Sequence, residues 1–171
     1  LASLWQESYS RGYDHLVKLQ MLSELEEVME YKHANDGGDE AHKMQIHQTW
    51  EKRLLGCQYH IDVWLPILKV RSLVLQPEDD LKMWIQFCFL CRDQGEATVG
   101  SSLGLERAHQ NLVVLLGCDP IEQPQYALPT THPSVTYAYI KFMWENSQQE
   151  EAVQHLYHLI DHLNTEPISG E

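Results

Sequence analysis

At 171 residues and 43% hydrophobic content, the chain is long enough to fold as one domain with a real core, burying roughly 70% of its unfolded surface. Twelve basic residues against 25 acidic ones give a net charge of -13, which argues against nucleic acid and anionic membrane as partners, because both attract an excess of lysine and arginine. No apolar run approaches the roughly 18 residues of a membrane span.

The opening, LASLWQESYS, has no basic start and no apolar run, so a signal peptide is not expected. The chain begins without Met, and the expectation is a piece of something longer. Ser3 with Gln6 reads as a capping box. From there Leu4, Trp5, Tyr9, Leu16, Leu19, Leu22, Leu25, Val28 and Met29 recur at helical spacing up to about Tyr31. Glu24, Glu26, Glu27 and Glu30 read as a solvated face of this helix. Residues 35–39, NDGGD, read as a loop. A second helix carries Ile46, Trp50, Leu54 and Cys57 on one side, with Gly56 near its end. The next stretch holds Ile61, Trp64, Leu65, Leu68 and Leu73. Because Pro66 lacks an N–H, that helix either starts near Val63 or is bent. Residues 70–75 are β-branched but have no partner strand nearby, so they read as helical.

Pro77 suits the first position of a fourth helix, and Glu78, Asp79 and Asp80 favour its positive end. This helix carries Trp84, Phe87, Cys88 and Cys91, runs to about Arg92 and is broken by Gly95. After a turn at residues 96–104, with Ser102 as cap, a fifth helix sets Leu105, Ala108, Leu112, Leu115 and Leu116 on one face, and Asp119-Pro120 ends it. Residues 119–133 hold Pro120, Pro124, Pro129 and Pro133 and read as an extended connector. Pro133 opens a sixth helix with Val135, Tyr139, Phe142, Met143 and Trp144. Ser147 with Glu150 reads as a capping box for a last helix carrying Ala152, Val153, Leu156, Leu159, Ile160 and Leu163, and the tail from residue 165 frays.

The expectation is therefore an all-α fold, an α-solenoid of antiparallel helix pairs, in one segment spanning 1–171. In such a fold each pair stacks on its neighbours because it cannot bury its apolar face alone. Repeat-like pairs lie near 81–120 and 133–163. Trp84, Gly95, Ala108 and Pro120 take the roles of the tetratricopeptide pattern, and Ala152 is placed like Ala108.

Four strings carry a resemblance: QMLSELEEV (20–28), VRSLV (70–74), LLGCDP (115–120) and LPTTHPSVTYAY (128–139). Together, and in order along almost the whole chain, they resemble the FAT region of target-of-rapamycin (TOR) kinases, phosphatidylinositol-3-kinase-related enzymes that phosphorylate Ser and Thr. The resemblance implies a tetratricopeptide-like solenoid that wraps a kinase domain lying elsewhere in a very large polypeptide. It implies as partners the rest of that kinase and the subunits or regulators of its complexes, such as DEPTOR. It implies a cytoplasmic growth and nutrient regulator, also found on lysosomal or vacuolar membranes. The family's FAT region binds an inositol polyphosphate through a basic pocket, and here only Lys141, in KFMWENSQQE (141–150), matches it.

The residues themselves mark no catalytic site. A glycine-rich phosphate loop, an HRD-like loop, a DFG-like motif and a G-x-S-x-G elbow are all missing from the sequence, and no cofactor is expected. Cys88-x-x-Cys91 has zinc-ligand spacing, but Cys57 and Cys118 are isolated, so the pair reads as core and no metal is expected. His155, His158 and His162 share a helix face, read as solvated rather than ligating or pH-sensing. His42 and His47 do not share one. Trp50, Trp64, Trp84 and Trp144, one per helix, read as inter-helix packing rather than a peptide groove. Besides the scaffold reading, the sequence leaves two others: a free-standing tetratricopeptide-type adaptor that binds peptides, and a zinc-stabilised helical domain.

Overall fold

A computed structural model of the chain describes residues 2–97, 103–121 and 127–165. Among these there are seven α-helices, one 3-10 turn and no strand. The helices are α1 (Ala2–Gly37), α2 (Glu40–Gly56), α3 (Ile61–Arg71), α4 (Leu81–Ala97), α5 (Leu103–Leu116), α6 (Pro133–Glu145) and α7 (Gln149–Thr165), with the 3-10 turn at Pro77–Asp80. They form two compact units, Leu1–Asp80 and Leu81–Glu171. The architecture is all-helical with helices packed against their chain neighbours, consistent with the helical-repeat expectation.

In the first unit, α1 packs against both α2 and α3. The core is Val28, Ile46, Trp50, Val70 and Leu75. The α1 stripe expected to be buried is mostly outside: Leu16, Leu19, Leu22, Leu25 and Met29 are exposed, and Val28 alone of the run beyond residue 11 is buried. The buried residues are instead Val17, Glu24, Val28 and Ala34; the first three lie within about 20° of one line on a 3.6-residue helix, with Ala34 about a quarter turn round from them. Ser3 lies inside α1 rather than capping it.

The expected loop at 35–39 shrinks to two residues, because α1 runs on to Gly37. Gly38 takes φ +72°, its N–H donates to the Asn35 carbonyl at 3.2 Å, and the Asp39 N–H donates to the Ala34 carbonyl at 2.8 Å. This is a Schellman closure, which needs a left-handed residue. Asp39 then caps α2, accepting from the His42 N–H at 3.0 Å. Ile46, Trp50 and Leu54 are buried as expected, α2 ends at Gly56, and Cys57 sits half-buried at the C-cap. Helix α3 begins at Ile61, capped by His60, with Pro66 in its interior, so the carbonyl of Asp62 has no N–H at Pro66 to accept from. It stops at Arg71, and residues 72–74 are a turn, leaving Leu73 exposed. Only the start of the 70–75 stretch is thus helical.

In the second unit α4 pairs with α5, α5 with α6, and α6 with α7. Pro77 opens the 3-10 turn that leads into α4, and Gly95 does not break the helix: α4 continues to Ala97. Of the turn expected at 96–104, residues 96–97 belong to α4 and 103–104 to α5, and 98–102 lie outside the described residues. Met83, Phe87, Cys88, Leu90 and Cys91 of α4 are buried, as are Ala108, Leu112, Leu115 and Leu116 of α5. Trp84 is only half-buried, its ring edge-on to Phe87 at 5.9 Å. The stop signal of α5 is Gly117, at φ +73°, whose N–H donates to the Val113 carbonyl at 3.0 Å, and not Asp119-Pro120. Pro133 opens α6 as expected.

Ser147 does not cap α7. It takes φ +66°, and the Gln148 N–H donates to the Met143 carbonyl at 3.0 Å, so Ser147 closes α6 in the place glycine usually holds. On α7, Ala152 and Leu159 are buried, while Val153, Ile160 and Leu163 are exposed. Ala108 of α5 and Ala152 of α7 are each 1% exposed. Ser102, Pro124, the tail beyond Thr165 and the side chains of Leu4, Trp5 and Tyr9 lie outside the described residues.

Candidate functional site

The most built polar site in the molecule is a group of charges inside the first unit, and it starts from the phase of α1. Glu24 falls on the buried face and is 0% exposed. An isolated carboxylate there would be prohibitively costly. Arg71, the last residue of α3 and 2% exposed, reaches it with two parallel bonds, Nε to Oε2 and Nη2 to Oε1, both 2.9 Å. This fork-to-fork geometry suits a guanidinium and not an ammonium. Arg71 Nη2 also donates to the Trp50 carbonyl of α2 at 2.7 Å, and its guanidinium carbon lies 5.7 Å from the centre of the Trp50 ring. Its third nitrogen, Nη1, is buried without a hydrogen-bond acceptor. Gln20 steadies Glu24 from one turn earlier, at 3.2 Å.

A second carboxylate extends the group. Glu27 Oε2 accepts from Trp50 Nε1 at 2.6 Å and from Arg53 Nη1 at 2.7 Å, and Tyr31 stacks on Trp50 with ring centres 5.7 Å apart. So Glu24 and Glu27, expected on a solvated face, bind all three helices of the unit together. Glu26 and Glu30 are exposed, as expected. This arrangement positions helices; its carboxylates are committed to partners and none is poised over a cavity as an acid or base.

Beside it, an open cleft of about 660 Å³ is lined by Tyr31, Lys43, Met44, His47, Leu73 and Asp79, among others. His47 Nε2 lies 3.6 Å from Asp80 Oδ1. The neighbouring Asp80 carboxylate raises the His47 pKa above the ordinary imidazole value, against the opposing cost of burial. Lys43 is tied to Glu40 at 3.0 Å and sits over the Tyr31 ring.

In the second unit Cys88 and Cys91 are core residues, 1% and 0% exposed. Burial pushes the Cys88 thiol far up and the Cys91 thiol up to about 11, the opposite of a reactive or ligating thiolate. No group of three His, Cys, Asp or Glu side chains is arranged for a metal among the described residues. His155, His158 and His162 line a cavity of about 550 Å³ with Thr130, Thr136 and Asp161, so this face is not simply solvated. His162 Nε2 pairs with Thr130 Oγ1 at 3.0 Å, which ties the connector to α7. His155 Nδ1 is buried without a partner, and burial followed by the neighbouring His158 lowers its pKa. Trp50 and Trp64 are buried and Trp144 is 49% exposed, so the tryptophans do not line one groove.

Lys141 is exposed on α6, with its Nζ 4.8 Å from the centre of the Phe89 ring. Arg92 approaches the same ring at 5.0 Å but is already bonded to Asp93 and Glu145. Lys141 and Lys82 line one cleft of about 470 Å³ between α4 and α6, with Gln86, Phe89, Ser134 and Tyr137. No sequence signal links Lys82 to Lys141, because helical phase is local and these residues sit on different helices.

The FAT domain family model matches residues 1–169. Over 166 residues, 97% of this chain, it is 39% identical to the serine/threonine-protein kinase mTor of Drosophila melanogaster. It is also 39% identical over 96% of its length to the serine/threonine-protein kinase tor1 of Schizosaccharomyces pombe, and 35% identical over 99% to the serine/threonine-protein kinase TOR of Arabidopsis thaliana. The chain spans only 6–7% of the length of these curated relatives.

Proposed function

Because the chain belongs to the FAT domain family, we propose that it is a non-catalytic helical-repeat scaffold segment of a TOR-type serine/threonine protein kinase. In this reading it forms one continuous segment that braces a kinase domain elsewhere in the polypeptide. It also presents surfaces to regulators and complex subunits in nutrient and growth signalling, in the cytoplasm and on lysosomal or vacuolar membranes. The observation that carries the reading is the Glu24–Arg71–Trp50 lock. It commits a fully buried ion pair to fixing three helices against each other, which a rigid brace needs and a catalytic site does not. A buried ion pair adds little net stability over well-packed hydrocarbon, so in this reading the pair is kept for the helix geometry it fixes.

The test is Arg71→Met in the full-length parent kinase. The expected result is a several-fold loss of kinase activity or of complex assembly with every catalytic residue intact. Full activity and unchanged assembly would overturn the scaffold role, and so would phosphotransfer by these residues alone.

Lys141, with Lys82 across the same cleft, is the candidate contact for an inositol polyphosphate in this reading. Titration with inositol hexakisphosphate should show binding that weakens at least several-fold in Lys141→Met. Equal binding by both proteins would remove Lys141 from that role.

A further inference from the structure

Three histidines of α7 meet the stretch of non-helical chain that leads into α6. His155, His158 and His162 come from successive turns, and at about 100° per residue they fall within about 60° of one another around the helix axis. They line the cavity of about 550 Å³ together with Leu128, Thr130 and Thr136. The stretch is held on both sides. Toward α6, the Thr136 hydroxyl donates to the Pro129 carbonyl. Toward α7, His162 Nε2 pairs with Thr130 Oγ1 at 3.0 Å. The first bond joins two groups that do not ionise. The second involves an imidazole, the side chain whose charge changes between about pH 5 and 8. Leu128 of the stretch and Leu159 of α7 line the same cavity and are 7% and 4% exposed, so their burial depends on the stretch lying on α7.

The surroundings favour neutral imidazoles. His155 Nδ1 is buried without a hydrogen-bond partner, so a proton added there meets no acceptor. Burial, followed by the neighbouring His158, opposes its charge. Like charges three and four residues apart on a helix repel, which sets His158 against both His155 and His162 once the rings are protonated.

The opposing carboxylates are on α7 itself. Asp161 lines the cavity, and Glu151 stands one turn before His155. Both are exposed, where solvent weakens their pull. Residues 127–131, ALPTT, carry no charge, and the stretch ends in a further imidazole at His132. On α6 the cavity residue is Thr136. The ionisable side chains of that helix, Tyr137, Tyr139, Lys141 and Glu145, are not among the described residues that line it.

We propose that this cavity is a proton-operated latch: neutral His155, His158 and His162 hold residues 127–132 on α7, and their protonation in mild acid releases that stretch from α7 while its bond to α6 remains. Release uncovers Leu128 and Leu159 as an apolar surface that neutral pH keeps closed. The latch needs the fold of the second unit and does not depend on the scaffold role.

The experiment is hydrogen exchange by mass spectrometry on the full-length parent protein at about pH 7.5 and about pH 5.5, with rates corrected for the intrinsic effect of pH on exchange. Peptides covering 127–132 and 155–165 should lose protection at least several-fold in acid, while peptides from α4 and α5 keep theirs. The double variant His155→Gln with His158→Gln should hold its protection in acid, since glutamine takes up no proton. Thr130→Val keeps the side-chain shape without the hydroxyl, and should lower protection of 127–132 already at neutral pH. Equal protection of the parent at both pH values would overturn the latch. So would an acid loss that persists in the double variant, a loss that extends equally to α4 and α5, or a Thr130→Val protein protected like the parent at neutral pH. No kinase activity enters this readout, so it succeeds or fails separately from the scaffold test at Arg71.

Discussion

Arg71→Met removes the cation and leaves the Glu24 carboxylate at 0% exposure with Gln20 as its remaining partner among the described bonds. Breaking one side of a buried pair costs about 3–5 kcal/mol, since the remaining charge is desolvated and uncompensated. The Trp50 carbonyl also loses the donor it holds at 2.7 Å, a loss of about 1–3 kcal/mol that falls within the same total. Against a global stability of about 5–15 kcal/mol, this is a large fraction. The double variant Glu24→Leu with Arg71→Met replaces charge by hydrocarbon of similar volume, and it should recover most of the loss, with a coupling energy of at least about 2 kcal/mol. The assay is urea unfolding of the four proteins of the cycle, followed by far-ultraviolet circular dichroism and by tryptophan fluorescence, because Trp50 and Trp64 lie buried in the unit that contains the pair. A single variant within about 1 kcal/mol of the parent, or a double variant no better than the worse single, would refute the lock.

Ser147→Gly should stabilise the chain by about 0.5–1 kcal/mol, because glycine escapes the left-handed penalty of a side chain there and loses part of the gain to its own unfolded-state entropy; a melting temperature raised by a few degrees checks it. Trp84→Ala, at a half-buried position, should cost about 1–2 kcal/mol, and Leu90→Ala, at 0% exposure, about 3–5 kcal/mol, compared by the same urea curves. In the native protein Cys88 and Cys91 should resist Ellman's reagent while the half-buried Cys57 and Cys118 react first, and all four should react in denaturant. The two shifted histidines should bend the pH–stability curve in opposite directions. The His47 pKa is raised in the fold, so its contribution is complete below the unfolded value of about 6.5 and is lost as pH rises through the folded value. The His155 pKa is lowered, so its contribution is present above about 6.5 and is lost as pH falls through the folded value. His47→Gln should flatten the alkaline limb and His155→Gln the acid limb, both read by unfolding at a series of pH values.

The helices were legible in the sequence because most of their apolar residues keep one phase, and Ile46–Trp50–Leu54 or Ala108–Leu112–Leu115 leave little choice of face. Helix α1 departs from this because it has two apolar phases. The row of leucines is the more conspicuous one, and it faces out. The quieter row of Val17 and Val28 faces in, and Glu24 stands in that row. A carboxylate in phase with buried valines was the readable sign of a buried acid, and its partner had to be an arginine at the end of another helix. Nothing local to Arg71 points back to Glu24. The tryptophan lock on Glu27 was hidden for the same reason.

The helix ends show a different limit. Gly38 and Gly117 end their helices, Gly95 does not, and Ser147 ends α6 without being glycine. Residue type alone therefore does not set a C-terminus. What sets it is whether the N–H groups just past the end can turn back to the last free carbonyls, as Asp39 does to Ala34, Gly117 to Val113 and Gln148 to Met143. Where the chain already gains from continued packing, a glycine is carried at a cost of about 1 kcal/mol. Where the following helix must fold back at once, as α7 does on α6, even a serine is held in the left-handed region. The tight return at Ser147 is thus a consequence of pairing. It follows that Ser147→Gly should raise stability without changing the α6–α7 contact. A change in that contact, seen as altered hydrogen exchange across both helices, would mean that the serine side chain, and not the fold-back, dictates the turn.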